Sequence, residues 1–154
     1  MIKDIFNLRM VSSQYWTAGQ PSEEQLGEVA REGFDLVLNI APQDPRYSLE
    51  DEERTVKSLG MEYQLIPIDF KAPTLEDYDR VEAALLMAKD KRVFIHCAAN
   101  YRVTTIFGCF AVNHLGWSQA EWDAFIADVW DISEFPIWVD YKAQLKHHVK
   151  ELAK

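Results

Sequence analysis

Short apolar, β-favouring runs that alternate with capped amphipathic helices constrain this chain more than any other feature. Phe34–Ile40 reads as a buried strand broken at Pro42, Asp44 and Pro45, and Val93-Phe94-Ile95 reads as another. Tyr15–Ala18 is a short strand ahead of the Gly19-Gln20-Pro21 turn, and Met61–Ile68 alternates and ends at its proline. Helices with recognisable ends lie between them. Ser22 and Gln25 form a capping box for a helix reaching Glu32, which Gly33 stops. Ser48–Leu59 masses Glu50, Asp51, Glu52 and Glu53 in its first turns, where carboxylates suit the helix dipole, so the acidic run reads as a solvated helix start. Thr74 caps a helix with the stripe Leu75, Tyr78, Val81, Leu85 and Ala88. This alternation predicts an α/β domain: a central, mainly parallel sheet of four to five strands with helices on both faces.

The last third of the chain is helical. From Arg102 to Leu115 the sequence is apolar nearly all round, as in a helix buried mid-domain. Ser118 with Glu121 caps another helix bearing Trp122, Phe125, Ile126, Val129 and Trp130, and a final one after Pro136 uses Tyr141, Leu145, Val149 and Leu152. These stripes, with most of the tryptophans on them, read as core. No repeat, low-complexity tract or linker divides the chain, so residues 1–154 read as one domain.

Charge narrows the partners. Sixteen Lys plus Arg stand against 25 Asp plus Glu, a formal net of -9, which argues against a polynucleotide or an anionic membrane surface as partner. A small anionic substrate stays compatible, because clustered backbone N–H groups and one Arg override the global charge over a few ångströms. The longest uncharged apolar stretch, Val103–Trp117, falls short of the roughly 20 residues a membrane helix needs. No secretory leader follows Met1-Ile2-Lys3-Asp4. Cys97 and Cys109 are the only cysteines, and a disulfide between them is geometrically poor if a helix starts near Arg102. The expectation is a cytoplasmic protein, or a periplasmic one had a leader been trimmed.

Two residues with chemistry sit just past predicted strand ends, where open parallel sheets bind ligands: Asp69 and Cys97. A cysteine between a buried strand and a helix start is where unpaired N–H groups favour a thiolate. The amides of Ala98, Ala99, Asn100, Tyr101 and Arg102 would form a nest for a tetrahedral oxyanion, which the Arg102 guanidinium closes with two parallel donors. Ala98 and Ala99 keep the mouth clear, and Asn100 tolerates the positive φ such a loop demands. Asp69, 28 residues before Cys97, is placed to protonate a leaving alkoxide. His96 points to the opposite side of the strand end from Cys97 and is expected to orient the loop. His114, His147 and His148 read as structural.

The His96-Cys97 loop, the following Arg102 with its buried helix, and the upstream Asp69 resemble the cysteine-dependent protein phosphatase superfamily in its dual-specificity-like branch. Gly19-Gln20-Pro21 and Ile66-Pro67-Ile68 make the chain similar to a bacterial branch also found fused to, or named after, β-lactamase-like hydrolases. The resemblance runs from about Ser12 to Trp117. It implies Cys97 as the nucleophile forming a phosphocysteine, Arg102 as phosphate ligand, and Asp69 as general acid and then base, with no metal or cofactor needed. The implied partner is a phosphoprotein or a phosphorylated small molecule, since all present the same dianion.

Three departures bear on activity. Only four residues separate Cys97 from Arg102 where the superfamily has five, Asn100 stands for the usual loop glycine, and Val103 stands where a hydroxyl residue follows the arginine. An ungapped register puts Val103 in the arginine position and Thr104 in the hydroxyl position. A four-residue spacing is also that of rhodanese-type sulfurtransferases, which carry a Cys persulfide. A third reading is a phosphate- or phosphoprotein-binding module with weak turnover, to which the large Tyr101 and the missing glycine point.

Overall fold

The computed structural model describes the backbone of residues 4–152 and the side chains of residues 4–148. In chain order the elements are β1 (Arg9–Met10), β2 (Tyr15–Ala18), α1 (Glu23–Arg31), β3 (Leu36–Asn39), α2 (Glu52–Ser58), β4 (Glu62–Leu65), α3 (Leu75–Met87), β5 (Val93–His96), α4 (Tyr101–His114), α5 (Gln119–Ala127), a 3-10 turn at Ile132–Glu134, and α6 (Pro136–Leu152). The strands form one sheet in the order β1-β2-β5-β3-β4, parallel except for β1. The mainly parallel α/β architecture read from the sequence is the one observed.

Strand alternation divides the core in two. Tyr15, Leu36, Leu38, Val93 and Ile95 face a large cluster built with α3, α4, α5 and α6. Trp16, Ala18, Val37 and Phe94 face a smaller one built with α1 and α2. Both faces of the sheet are therefore covered, which is why β3 and β5 are buried at every position. Helix α4 lies deepest: Val103, Ile106, Cys109 and Ala111 have no or almost no exposed surface. Gly108 lets α5 close on it, because a Cβ there would stand 2.1 Å from Trp122 Cδ1. The Trp122 indole fills that space and donates to the Thr105 carbonyl at 3.0 Å.

The predicted capping boxes at Ser22, Thr74 and Ser118 are present with both reciprocal bonds. The second helix begins later than expected, at Glu52 behind an Asp51 cap. Residues 44–48 form a turn instead, closed by Asp44 accepting from the Arg46 amide and guanidinium. Strand β4 ends at Leu65, although the Ile66 and Ile68 amides still bond to Asn39 and Ile40. Val129 and Trp130 lie beyond the end of α5. Strand β1, only two residues long, carries too little pattern to be predicted. Val149 and Leu152 lie outside the described side chains. Among the described residues no helix is long and apolar enough to cross a membrane, and Cys97 and Cys109 are both free.

Candidate active site

Strand β5 sits in the middle of the sheet between β2 and β3, so the chain leaving it emerges between loops from both neighbours. Cys97 still belongs to the sheet, its amide bonded to the Ala18 carbonyl at 3.2 Å. The backbone then reverses at Asn100, which takes the left-handed conformation at φ 67° and caps α4. The first amide bonded back along the helix is that of Thr104, to the Asn100 carbonyl. The amides of Tyr101, Arg102 and Val103 thus precede the helical ladder and form the positive end of α4 beside Cys97.

Neighbouring backbone holds this loop in place. Gln20 donates from its amide to the Ala98 carbonyl at 3.0 Å, and Asn7 donates from its side chain to the Ala99 carbonyl at 2.9 Å. The Asn100 amide group returns bonds to the Asn7 carbonyl and the Thr17 hydroxyl. Because the peptide is trans, the Ala99 N–H points away from the Gln20 that takes the Ala98 carbonyl. Gly19 must be glycine for this approach: a Cβ there would lie 2.7 Å from the Ala98 oxygen and 2.8 Å from Phe6. The Gly-Gln-Pro turn is therefore a clamp on the Cys97 loop.

Arg102 and Val103 point in different directions. Its side chain is buried, with the residue only 6% exposed, and Nη1 donates to the Ile68 carbonyl at 3.0 Å. The guanidinium carbon lies 5.4 Å from the centre of the Phe70 ring. Its Nε is buried with no hydrogen-bond partner. Val103 points instead into the core. Arg102, not Val103, is the residue directed at the strand-end loops.

The remaining candidates fall as follows. Asp69 is exposed and follows directly on Ile68, with Oδ1 accepting from the Lys71 amide at 2.9 Å. Ala98 and Ala99 are half-buried at the loop. The Tyr101 ring lies flat on Trp130, 4.4 Å between centroids and 9° between planes, so it is packed against the segment after α5. Thr104 donates its hydroxyl proton to the Tyr101 carbonyl at 2.9 Å and accepts from Trp130 Nε1 at 3.0 Å. With its single proton spent there, it has none to give to the Cys97 sulfur. Asp44, on the loop after β3, also feels Arg102. Hydrogen bonds from Arg46 hold its carboxyl down at about 2, with a smaller electrostatic contribution from Arg102. Burial pushes the other thiol, Cys109, up to about 12 and keeps it protonated.

Two features were not foreseen. Phe70 is held by stacking on Trp138 at 5.2 Å and by a Trp138 Nε1 bond to its carbonyl, which fixes the segment carrying Asp69. Glu52, read as part of a solvated acidic helix start, is buried: its Oε2 meets His96 Nε2 at 2.6 Å and its Oε1 accepts from the Gln20 side chain at 2.6 Å. Glu52 stands four residues before the buried Val56 on α2, and that spacing was the available signal. His96 orients as expected, with Nδ1 3.0 Å from the Cys97 carbonyl. His114 pairs with Glu82 and His148 with Asp79. Among the described residues no group of three or more His, Cys, Asp or Glu is placed to hold a metal ion.

No protein-family model and no curated protein matches the sequence. Solved structures do. A "Putative phosphatase (DUF442)" from Shewanella putrefaciens CN-32 has 26% identity and a TM-score of 0.88, over 96% of this chain and 93% of that one. The structure of Tk-PTP is 22% identical with a TM-score of 0.77, covering 97% and 99% of the two chains. That of TpbA from P. aeruginosa, in complex with pTyr, is 13% identical with a TM-score of 0.74 over 94% and 91%.

Proposed function

We propose that this chain, whose fold is that of the cysteine-dependent phosphatases, hydrolyses a phosphate monoester through a phosphocysteine on Cys97. The observation that carries the reading is Arg102. A buried guanidinium that spends Nη1 on the Ile68 carbonyl and leaves Nε without an acceptor is provided for a ligand that brings oxygen atoms. The amides at the head of α4 add donors of the same kind beside Cys97.

In the first step the Cys97 sulfur attacks phosphorus and the bond from phosphorus to the leaving oxygen breaks, with Asp69 passing a proton to that oxygen. In the second, water attacks the phosphocysteine, Asp69 takes its proton, and the sulfur–phosphorus bond breaks to release phosphate and restore the thiolate. The helix end and Arg102 stabilise the charge on the transferring group in both steps. Asp69 suits this part because it is exposed and its segment is tied to Arg102 through Ile68.

Thr104 favours a second reading, a phosphate-binding module of weak turnover, since its proton is committed to Tyr101 and cannot assist departure of the thiolate. One experiment separates the two. The pTyr bound to TpbA makes aryl phosphates the first substrates to test. Hydrolysis of p-nitrophenyl phosphate that Cys97→Ser abolishes is the enzyme; a rise in Tm with phosphate or vanadate but no turnover is the module.

A further inference from the structure

His96 makes two polar contacts, and both partners constrain its protons. Nδ1 faces the Cys97 carbonyl at 3.0 Å, which only accepts. Nε2 faces Glu52 Oε2 at 2.6 Å. For both contacts to be hydrogen bonds, either His96 carries two ring protons opposite a carboxylate, or Glu52 is a neutral acid donating to a singly protonated ring. The rest of the Glu52 environment decides. Its other oxygen accepts from the Gln20 side chain at 2.6 Å, and the Tyr63 hydroxyl, which accepts from Asn39 at 3.0 Å, lies close enough to favour the carboxylate. Gln20 from the β2–α1 turn and Tyr63 from β4 converge on one carboxyl group, and both favour its ionised form. Opposite a charged His96, that charge and the bonds from His96, Gln20 and Tyr63 outweigh the burial that pushes the Glu52 carboxyl up, so its net direction is down. The other charged group near this cluster, Glu53, acts on Tyr63.

We infer that Glu52 is a positioning residue that holds the buried His96 as an imidazolium, whose Nδ1 proton is fixed on the carbonyl of Cys97. Its effect on Cys97 is twofold. It places a positive charge one residue from the sulfur, and it locks the Cys97–Ala98 peptide so that the Ala98 N–H, trans to that carbonyl, points the other way. Gln20 ties the clamp turn to the same carboxylate. A single polar chain then explains why the Gly-Gln-Pro turn, the α2 acid and the His–Cys loop occur together.

The consequence for catalysis rests on the phosphatase reading, whereas the protonation state does not, so the test reads both. In the full-length protein at pH 7, nitrogen-15 NMR of the His96 ring is expected to show both nitrogens protonated. In Glu52→Gln the ring is expected to become singly protonated at Nδ1, with the new side-chain amide donating to Nε2. For p-nitrophenyl phosphate, kcat/KM is expected to fall tenfold or more in Glu52→Gln and to recover in part in Glu52→Asp. A singly protonated ring in the wild-type protein overturns the inference whether or not the variants fold, as does a ring that stays doubly protonated in a folded Glu52→Gln. A doubly protonated wild-type ring in a protein without phosphatase turnover upholds the inference and removes the phosphatase reading alone.

Discussion

Arg102 donates its guanidinium to the carbonyl of Ile68 at 3.0 Å, one residue before Asp69. The residue that would bind phosphate and the segment carrying the candidate acid are thus one mechanical unit, further joined by the Arg102–Phe70 contact. Arg102→Lys keeps the charge but loses the fork that spans Ile68 and a bound oxyanion. We expect at least a hundredfold loss in kcat/KM, and loss of the Tm rise that vanadate gives the wild type. Steady-state kinetics and thermal melts with and without vanadate check it.

Asp69→Asn removes a proton donor from an exposed position, so stability is expected to change by less than about 0.5 kcal/mol. Activity is expected to fall by on the order of 10²- to 10⁴-fold. The loss is greater for alkyl phosphates, whose leaving group needs the proton, than for p-nitrophenyl phosphate. An equal loss on both would remove Asp69 from the role.

Gly19→Ala drives a methyl group into the Ala98 carbonyl and Phe6. The clamp must shift, at a cost of about 1–3 kcal/mol. Urea denaturation should show that loss, and kcat/KM should fall with it although residue 19 offers the substrate no functional group.

Because the Thr104 proton is held by Tyr101, breakdown of the phosphocysteine is expected to be the slow step. Stopped-flow mixing with p-nitrophenyl phosphate should give a burst of one p-nitrophenol per enzyme before a slow steady state. Thr104→Val should leave the burst intact and destabilise the fold by about 1–3 kcal/mol, because it strands the Trp130 N–H.

Acid should loosen the site before it unfolds the helices. The Glu52 carboxyl titrates below its ordinary 4.5 in the folded chain, and Asp44 at about 2 below its ordinary 3.8. Groups lowered on folding stabilise the native state above their unfolded values and lose that contribution as pH falls through the folded ones. Tm is therefore expected to be flat near pH 6 and to drop from about pH 4.5 downward, less steeply in Glu52→Gln. Scanning calorimetry across that range is the check.

Much of this arrangement was legible beforehand because it is local. Capping boxes at Ser22, Thr74 and Ser118, the short apolar runs of β3 and β5, and the positive φ at Asn100 depend on residues within a few positions of one another. The partners of the site are not local. Glu52 meets His96 across 44 positions and Asn7 meets Ala99 across 92, and neither pairing has a sequence signature. The acidic run hid Glu52 because three of its four members do what acidic residues at a helix start usually do. The choice between Arg102 and Val103 needed their partners in space, since both are buried and only Arg102 reaches the Ile68 carbonyl while Val103 packs in the core.

The most direct measurement is a rapid acid quench during turnover of p-nitrophenyl phosphate, followed by peptide mass spectrometry. A single phosphoryl group on the peptide containing Cys97, absent in Cys97→Ser, is the expected result. Turnover that proceeds with no phosphoryl group on Cys97, or that survives its replacement by serine, would contradict it.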